Sequence, residues 1–372
     1  MLPTRGYTVN APATAVPIDF VGTFNNAAQN SGALGRGTDP QAGWQLLGNP
    51  YPSPLDWNTV AAAQRPGMDA AMYVYQSTGQ YAGTYRSFAN GVGLSPLIDA
   101  GSGYFARVTT PGGTGAVNLT NANRLTAFGP EPAFGRRPAD PRPQLRLTLT
   151  GAGLADDAFV YFEAGALAGV DAQYDAAKLA NPAGLDLASL SGAAPLAING
   201  LPPLGRADVV VPLLVRAPQA GSFGFEVAGL AHFGAATVWL HDALAGTQQL
   251  LAAGGRYPFA LATATAGTGR FALVFRPAAV TGTRDGLSAA SVSLYPNPAR
   301  RRFTLLLPPL PGQAAVRATL LNALGQVLHT RTLPLTAAGA TAEFDTRALA
   351  AGVYLLQLRT ENQLLTKRVV VE

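Results

Sequence analysis

Arg317-Ala318-Thr319-Leu320-Leu321 runs into Asn322-Ala323-Leu324-Gly325, and Gln326-Val327-Leu328-His329 returns. Two apolar-rich runs around an Asn and a Gly free to take positive φ predict a β-hairpin. The same period continues outward. Upstream, Val292 and Leu294 lead to Tyr295-Pro296-Asn297-Pro298, and Phe303, Leu305 and Leu307 alternate out of that turn. Downstream, Gly352 opens Val353-Tyr354-Leu355-Leu356-Gln357-Leu358, and Lys367 to Val371 closes the chain. Short strands packed this densely predict a small Ig-like sandwich over residues 288–372.

Further upstream the period remains 2. Leu145, Leu147 and Leu149 alternate with Arg146, Thr148 and Thr150; Phe223, Phe225 and Val227 alternate with Gly224 and Glu226; Phe271, Leu273 and Phe275 do likewise. Val209-Val210-Val211 is apolar on both faces, as for an interior strand. Only Ala172 to Ala180, and one turn at Thr59 to Gln64, read as helical. Gly151-Ala152-Gly153 begins like a dinucleotide fingerprint, but Phe159-Val160-Tyr161-Phe162 after it is a strand, so it predicts a hairpin turn. The five prolines between Gly129 and Pro143, and the small polar stretch Pro277 to Ser291, are seams. The reading is all-β: tandem antiparallel β-sandwich-like domains at 1–128 (rich in aromatics and prolines), 144–277 and 288–372. In the first, Trp44 to Gly48, Met72 to Gln76 and Gly103 to Val108 read as strands.

Composition narrows the chemistry. No cysteine exists among the 372 residues, which excludes disulfides, thiolate metal sites and cysteine nucleophiles. No apolar run is long enough for a transmembrane helix. Met1 to Tyr7 carries one positive charge without an apolar stretch behind it, so no signal peptide is read there. A net charge of +5 invites nucleic acid, but all basic residues except Lys178 and Lys367 are scattered arginines. The dense clusters, Arg136-Arg137 and Arg300-Arg301-Arg302, stand beside prolines, and no nucleic-acid partner is expected.

The terminal segment resembles the C-terminal sorting domain of type IX (Por) secretion cargo. The resemblance rests on Tyr295-Pro296-Asn297-Pro298 followed by Phe303, on Asn322 to Gly325, on Leu349-Ala350-Ala351-Gly352-Val353-Tyr354 and on Lys367-Arg368-Val369-Val370, in that order. It implies a folded β-sandwich signal read by the outer-membrane type IX translocon of a Gram-negative bacterium. A sortase-like machinery then removes the signal, and the cargo is released or attached to surface lipopolysaccharide. Tyr295, Pro296, Asn297, Pro298, Gly325, Leu349, Gly352, Tyr354 and Lys367 carry over as structural and recognition residues. With that resemblance, the missing signal peptide predicts a chain lacking its natural start. The blocks Trp44 to Trp57 and Asp171 to Leu179 are similar to regions that precede such signals in large surface proteins.

No catalytic residue is predicted. His241-Asp242 would point to opposite faces of a strand, His232 and His329 offer no partner pattern, and neither a Gly-x-Ser-x-Gly elbow nor a His-Glu-x-x-His pair occurs. Asp156, Asp157, Asp171 and Asp175, with Glu163, are the densest acidic group, and the four aspartates are candidate Ca²⁺ ligands without EF-hand spacing; no other cofactor is expected. Trp44, Tyr51 and Trp57, with Tyr73, Tyr75, Tyr81 and Tyr85 nearby, could form a sugar-stacking platform, although core packing is the plainer use. The alternatives to a non-catalytic exported protein are therefore a carbohydrate-binding or adhesin module in the first two domains, or the remnant of an enzyme whose catalytic domain lies upstream.

Overall fold

The computed structural model describes residues 3–9, 21–79, 82–125, 140–277, 291–310, 313–336, 338–360 and 363–372. Arg136-Arg137, Tyr81 and most of both seams lie outside them. The protein is all-β. Among the described residues the only helices are three 3-10 turns of three residues each, at Trp57–Thr59, Ala62–Gln64 and Asn121–Asn123. The chain forms two compact units, Met1–Ala279 and Val280–Glu372.

The first unit contains two large sheets and three two-stranded pairings, Gln29–Asn30 with Asn118–Leu119, Leu34–Gly35 with Thr114–Gly115, and Leu55–Asp56 with Leu97–Ile98. Strands β1 (Trp44–Gly48), β2 (Met68–Ser77), β3 (Gly83–Ala89), β4 (Val92–Gly93) and β5 (Gly103–Val108) form an antiparallel sheet in the order β1-β5-β2-β3-β4. The larger sheet comprises β6 (Gln144–Gly151), β7 (Leu154–Phe162), β8 (Ala176–Ala177), β9 (Asp186–Ser191), β10 (Ala194–Leu201), β11 (Val209–Ala217), β12 (Gly221–Ala231), β13 (Thr237–Asp242), β14 (Thr247–Leu250), β15 (Arg256–Leu261) and β16 (Thr265–Arg276). Its order is β14-β13-β16-β11-β9-β10-β7-β6-β12-β15, with β8 beside β10. All pairs are antiparallel except β7 with β10, where Phe159 to Phe162 run parallel to Ile198 to Leu201.

That sheet folds over on itself. Leu145, Leu147 and Leu149 from one half of the strand order pack in one core with Leu213, Leu240 and Phe275 from the other half. Its two terminal strands meet through side chains: Gln249 Nε2 donates to the Arg256 carbonyl at 3.1 Å, and the Thr247 and Tyr257 hydroxyls lie 3.2 Å apart. The Ala152-Gly153 turn between β6 and β7 has φ of +54° and +74°, the twist of a two-residue hairpin.

Strand β7 decides how the two sheets combine. Ala158, Val160 and Phe162 face the folded-over core, while Phe159 and Tyr161 face Ala71, Tyr73, Ala89 and Val92 of the smaller sheet. Side-chain period 2 puts one strand into two cores at once. Ala70 N donates to the Ala172 carbonyl, and Tyr85 N to Asn181 Oδ1, across the same junction. Segments 1–128 and 144–277 thus share a core within one compact unit.

Two local expectations need correction. Ala172 to Ala180 is not helical: a turn at 172–174 leads into β8, because Asp175 accepts Asp171 N and Gly200 N and so docks the segment on β10. Val210 is 58% exposed, so Val209 to Val211 is buried on one face only, although β11 lies between two neighbours. Strands buried on both faces lie elsewhere, as in β7 and β10.

The second unit is a two-layer sandwich. Strands β17 (Ser293–Tyr295), β18 (Arg302–Leu307) and β21 (Ala340–Asp345) form one sheet in the order β17-β18-β21. Strands β19 (Ala315–Leu321), β20 (Val327–Pro334), β22 (Gly352–Arg359) and β23 (Leu364–Val371) form the other in the order β20-β19-β22-β23. Phe303 and Phe344 stack at 5.0 Å in the core with Leu320, Leu356 and Val369 from the facing sheet.

Candidate functional site

The terminal module carries the densest set of motif residues, and its topology gathers most of them at one end. The β19 C-terminus, the β20 N-terminus, the β22 N-terminus and the β23 C-terminus are neighbours there, because Leu321 pairs with Val327 and Leu355, and Gly352 pairs with Val371. The Tyr295 to Pro298 corner joins this end. Ala299 bridges Val371, with Ala299 N donating to the Val370 carbonyl at 2.7 Å and Glu372 N to the Ala299 carbonyl at 2.9 Å.

Asn297 does most of the fastening. Its Nδ2 donates to the Arg368 carbonyl at 3.0 Å, and its Oδ1 accepts from Val370 N at 2.8 Å. One amide thereby satisfies a donor and an acceptor on the edge of the last strand. The flanking Tyr295–Pro296 and Asn297–Pro298 peptides are both cis. Lys367 lies further along β23 and donates Nζ to the Val292 carbonyl at 2.5 Å, which ties the last strand to the start of the module a second time.

Gly325 has φ +79°, and a Cβ there would meet nothing, so its requirement is conformational. Leu349 packs partly buried on the core, its N–H donating to the Thr346 carbonyl, and Tyr354 donates its hydroxyl to the Ala350 carbonyl at 2.8 Å. Gly352 opens β22, where a Cβ would meet only the Ala350 carbonyl oxygen, at 4.0 Å. Asn322, read from the sequence as part of the turn but not among the site residues, accepts from Leu324 N and Gln326 N through Oδ1 and holds the Gly325 turn. An Asn three residues before a turn Gly was the available signal.

Upstream, the aromatics do not form an exposed row. Tyr51 and Trp57 are buried in the core on one face of the smaller sheet, Trp57 donating Nε1 to the Ala70 carbonyl at 2.8 Å and Tyr51 donating its hydroxyl to the Ala27 carbonyl. Trp44 packs on the opposite face, edge-on to Tyr73 at 5.0 Å and beneath the Arg107 guanidinium. Trp44 stands on β1, whereas Tyr51 lies in the following corner and Trp57 in a 3-10 turn, and these segments return over the other face.

The four aspartates are likewise kept apart, and among the described residues no group of three or more His, Cys, Asp or Glu is placed to hold a metal ion. Asp156 is buried against Lys178 Nζ at 2.5 Å and accepts Leu187 N; Asp157, on the other face of β7, pairs with Arg146 at 3.0 Å. Asp171 caps its own turn by accepting Gln173 N. Lys178, missed as a partner, is one of only two lysines in the chain, and that rarity was its signal.

Asp175 is held by backbone N–H groups alone. Burial pushes its carboxyl up to about 7, against the pull of the Asp171 and Gly200 N–H groups and with a further push from Asp171. A folded pKa above the unfolded one means that the stabilising proton is bound at low pH and lost as pH rises from about 4 to 7. The urea stability of the first unit is therefore expected to fall by about 1–3 kcal/mol from pH 5 to pH 8 through this group. Asp175→Asn should flatten that slope; an unchanged slope in the variant would assign it to other groups.

The described geometry is that of a two-layer β-sandwich following an all-β unit. Residues 293–372 match the family model of the secretion system C-terminal sorting domain. The chain thus carries a type IX sorting signal, which directs export to the cell surface or the extracellular space. Residues 1–275 match the model of a domain of unknown function (DUF8693), and the chain belongs to that family. No curated protein matches it. Among solved structures, it is similar to the BSP domain of a biofilm associated protein, at 10% identity and a TM-score of 0.28, over 97% of this chain and 84% of that one. It is also similar to dimeric latent PorU from Porphyromonas gingivalis, at 10% identity and a TM-score of 0.20, over 93% of this chain and 34% of that one. At such scores these likenesses carry no argument.

Proposed function

We propose that the protein is the non-catalytic C-terminal region of an exported protein, in which residues 293–372 engage the type IX translocon and the first unit is cargo with a structural or adhesive role. The observation that carries this reading is the fastening of Tyr295 to Pro298 onto the last strand by Asn297, which places most of the sorting residues at one end of the module. The buried acids of the first unit support a structural use: Asp156 serves Lys178, Asp186 serves Arg216 and Asp242 serves Arg270. A sortase-like machinery would remove the module, and the cargo would then be released or attached to surface lipopolysaccharide.

A second reading has one observation of its own. A cleft of about 500 Å³ in the first unit is lined by Trp57, Phe88 and Tyr174 together with Asn58, Asn90 and Arg142. Trp57 and Phe88 are buried in its wall, which leaves Tyr174 with the amides and the guanidinium to meet a saccharide, so a carbohydrate-binding role would use this cleft instead of a Trp44, Tyr51 and Trp57 row.

Residues 288–372 fused behind a reporter with an ordinary Sec leader test the first reading. In a host with a working type IX system, the reporter is expected outside the outer membrane with the tail removed. Full-length reporter trapped in the periplasm, while a known sorting domain is exported, would overturn the reading.

A further inference from the structure

The outward face of β20-β19-β22-β23 differs from the rest of the molecule. These four strands contain no Asp or Glu. Alternation turns Arg317 and Leu321 of β19, Leu355 and Arg359 of β22, and Arg368 of β23 away from the core. At the end where the sorting residues converge, Val327, Leu321 and Leu355 are successive cross-strand partners, and Val353 stands beside them. Val327 is 61% exposed, Val353 47% and Leu355 37%, so these three form an exposed apolar strip around the buried Leu321.

At the other end of the same face, Arg317 pairs directly across from Arg359. Like charges opposite each other destabilise a sheet. Among the described residues neither of these arginines nor Arg368 makes an ion pair. Residues 293–372 hold nine basic and four acidic side chains, which is the whole net charge of +5, since residues 1–292 carry equal numbers of each. The net positive charge thus resides in the sorting module, and a pair of arginines without an ion-pair partner among the described residues is kept on the face that also exposes the apolar strip.

We propose that this face is the docking surface of the module and that its occupant is an acidic protein surface, with carboxylates for Arg317 and Arg359 and apolar side chains for the strip. The proposal rests on the sorting reading and gives that signal a location. Complementary charge sets orientation and encounter rate, and arginine forks suit carboxylates. A protein fits better than a lipid surface, because the face presents no Trp, Tyr or Phe, the anchors of membrane interfaces.

The test uses the full chain behind a Sec leader in a type IX-competent host, with Arg317→Thr and Arg359→Thr combined. Relief of the like-charge pair is expected to leave the unfolding midpoint of the module equal to the parent's or higher. Export is expected to fall at least tenfold. A photo-crosslinking residue at Gln357 on this face should give a protein adduct that is lost in the double variant, and one at Leu306 on the opposite sheet should give none. Export at the parental level would overturn the proposal, and so would a loss of export matched by an equal loss of stability. Sedimentation of the parent, but not the variant, with phosphatidylglycerol vesicles, without a protein adduct at 357, would replace the occupant by anionic lipid. If deletion of residues 288–372 leaves export intact, the sorting reading itself fails; if deletion abolishes export while the double variant exports normally, only the docking face fails.

Discussion

Replacing Lys178 by Met destabilises the first unit by about 3–5 kcal/mol, the usual consequence of leaving one member of a buried ion pair without its partner. Lys178 is 6% exposed and Asp156 3%, and their charged atoms are 2.5 Å apart. The Lys178 ammonium also lies 3.7 Å from Asp186, whose other oxygen meets Arg216 Nε at 2.5 Å. Met matches the lysine stem, so the loss is electrostatic and leaves little cavity. The Asp156 carboxyl is already raised by burial, against the pull of Lys178, Leu187 N and Asn181. Without the ammonium it rises further. A folded pKa above the unfolded one costs stability as pH increases through that interval. The deficit of Lys178→Met should therefore be smaller at pH 5 than at pH 8 in urea unfolding. Adding Asp156→Asn should recover most of it, because the amide oxygen still accepts Leu187 N. A single variant within 1 kcal/mol of the parent at both pH values would show that water reaches this carboxylate and that the pair is not the lock described here.

That pair also marks the limit of the sequence. Strands were legible because alternation is a local signal: Leu145 to Leu149, Phe223 to Val227 and the terminal module lie where their period places them. The Gly151 to Gly153 turn and the sorting motifs were legible for the same reason, since turn chemistry and motif spacing are short-range. Asp156 was read as a candidate Ca²⁺ ligand because its true partner lies 22 residues away on a segment read as a helix. Asp171 to Leu179 contains good helix formers, but Asp175 is committed to Gly200 N, and tertiary hydrogen bonding outweighs propensity there. The aromatics of the first segment resisted assignment because burial depends on which face a strand presents. Tyr51 hangs from a corner held by Asn49, whose Nδ2 reaches the Ser53 and Ile98 carbonyls, and no local pattern announces such a pin. The parallel β7 and β10 pair was hidden as well, since it requires the excursion through β8 and β9 to be known first.

Asp242→Ala should open the seam where the large sheet meets itself, at a cost of about 3–5 kcal/mol. Asp242 is 1% exposed and ends β13. Its Oδ1 accepts Leu244 N at 3.0 Å and Ala245 N at 3.2 Å, which forms the turn into β14. Its Oδ2 accepts the Tyr257 hydroxyl of β15 at 3.0 Å, and the Arg270 fork spans both oxygens at 2.9–3.0 Å. Arg270 also donates to the Ala260 carbonyl and lies over the Phe271 ring at 4.6 Å. One carboxylate thus connects both terminal strands of the sheet, and the alanine leaves a half-buried guanidinium without its counter-ion. Burial alone would raise this carboxyl, but its bonds to Arg270, Ala245 N and Tyr257 prevail and hold it below the usual range. Its contribution is accordingly present above pH 4 and lost as pH falls through the folded pKa, the opposite sense to Asp175. Amide exchange should localise the effect, with Thr247 to Leu250 and Arg256 to Leu261 losing protection before Leu145 to Leu149. Two freed edges also provide unpaired backbone for another copy, so the variant should aggregate at lower temperature than Lys178→Met at matched stability. Uniform loss of protection across all strands would mean that the seam has no stability of its own and that the sheet unfolds as one body.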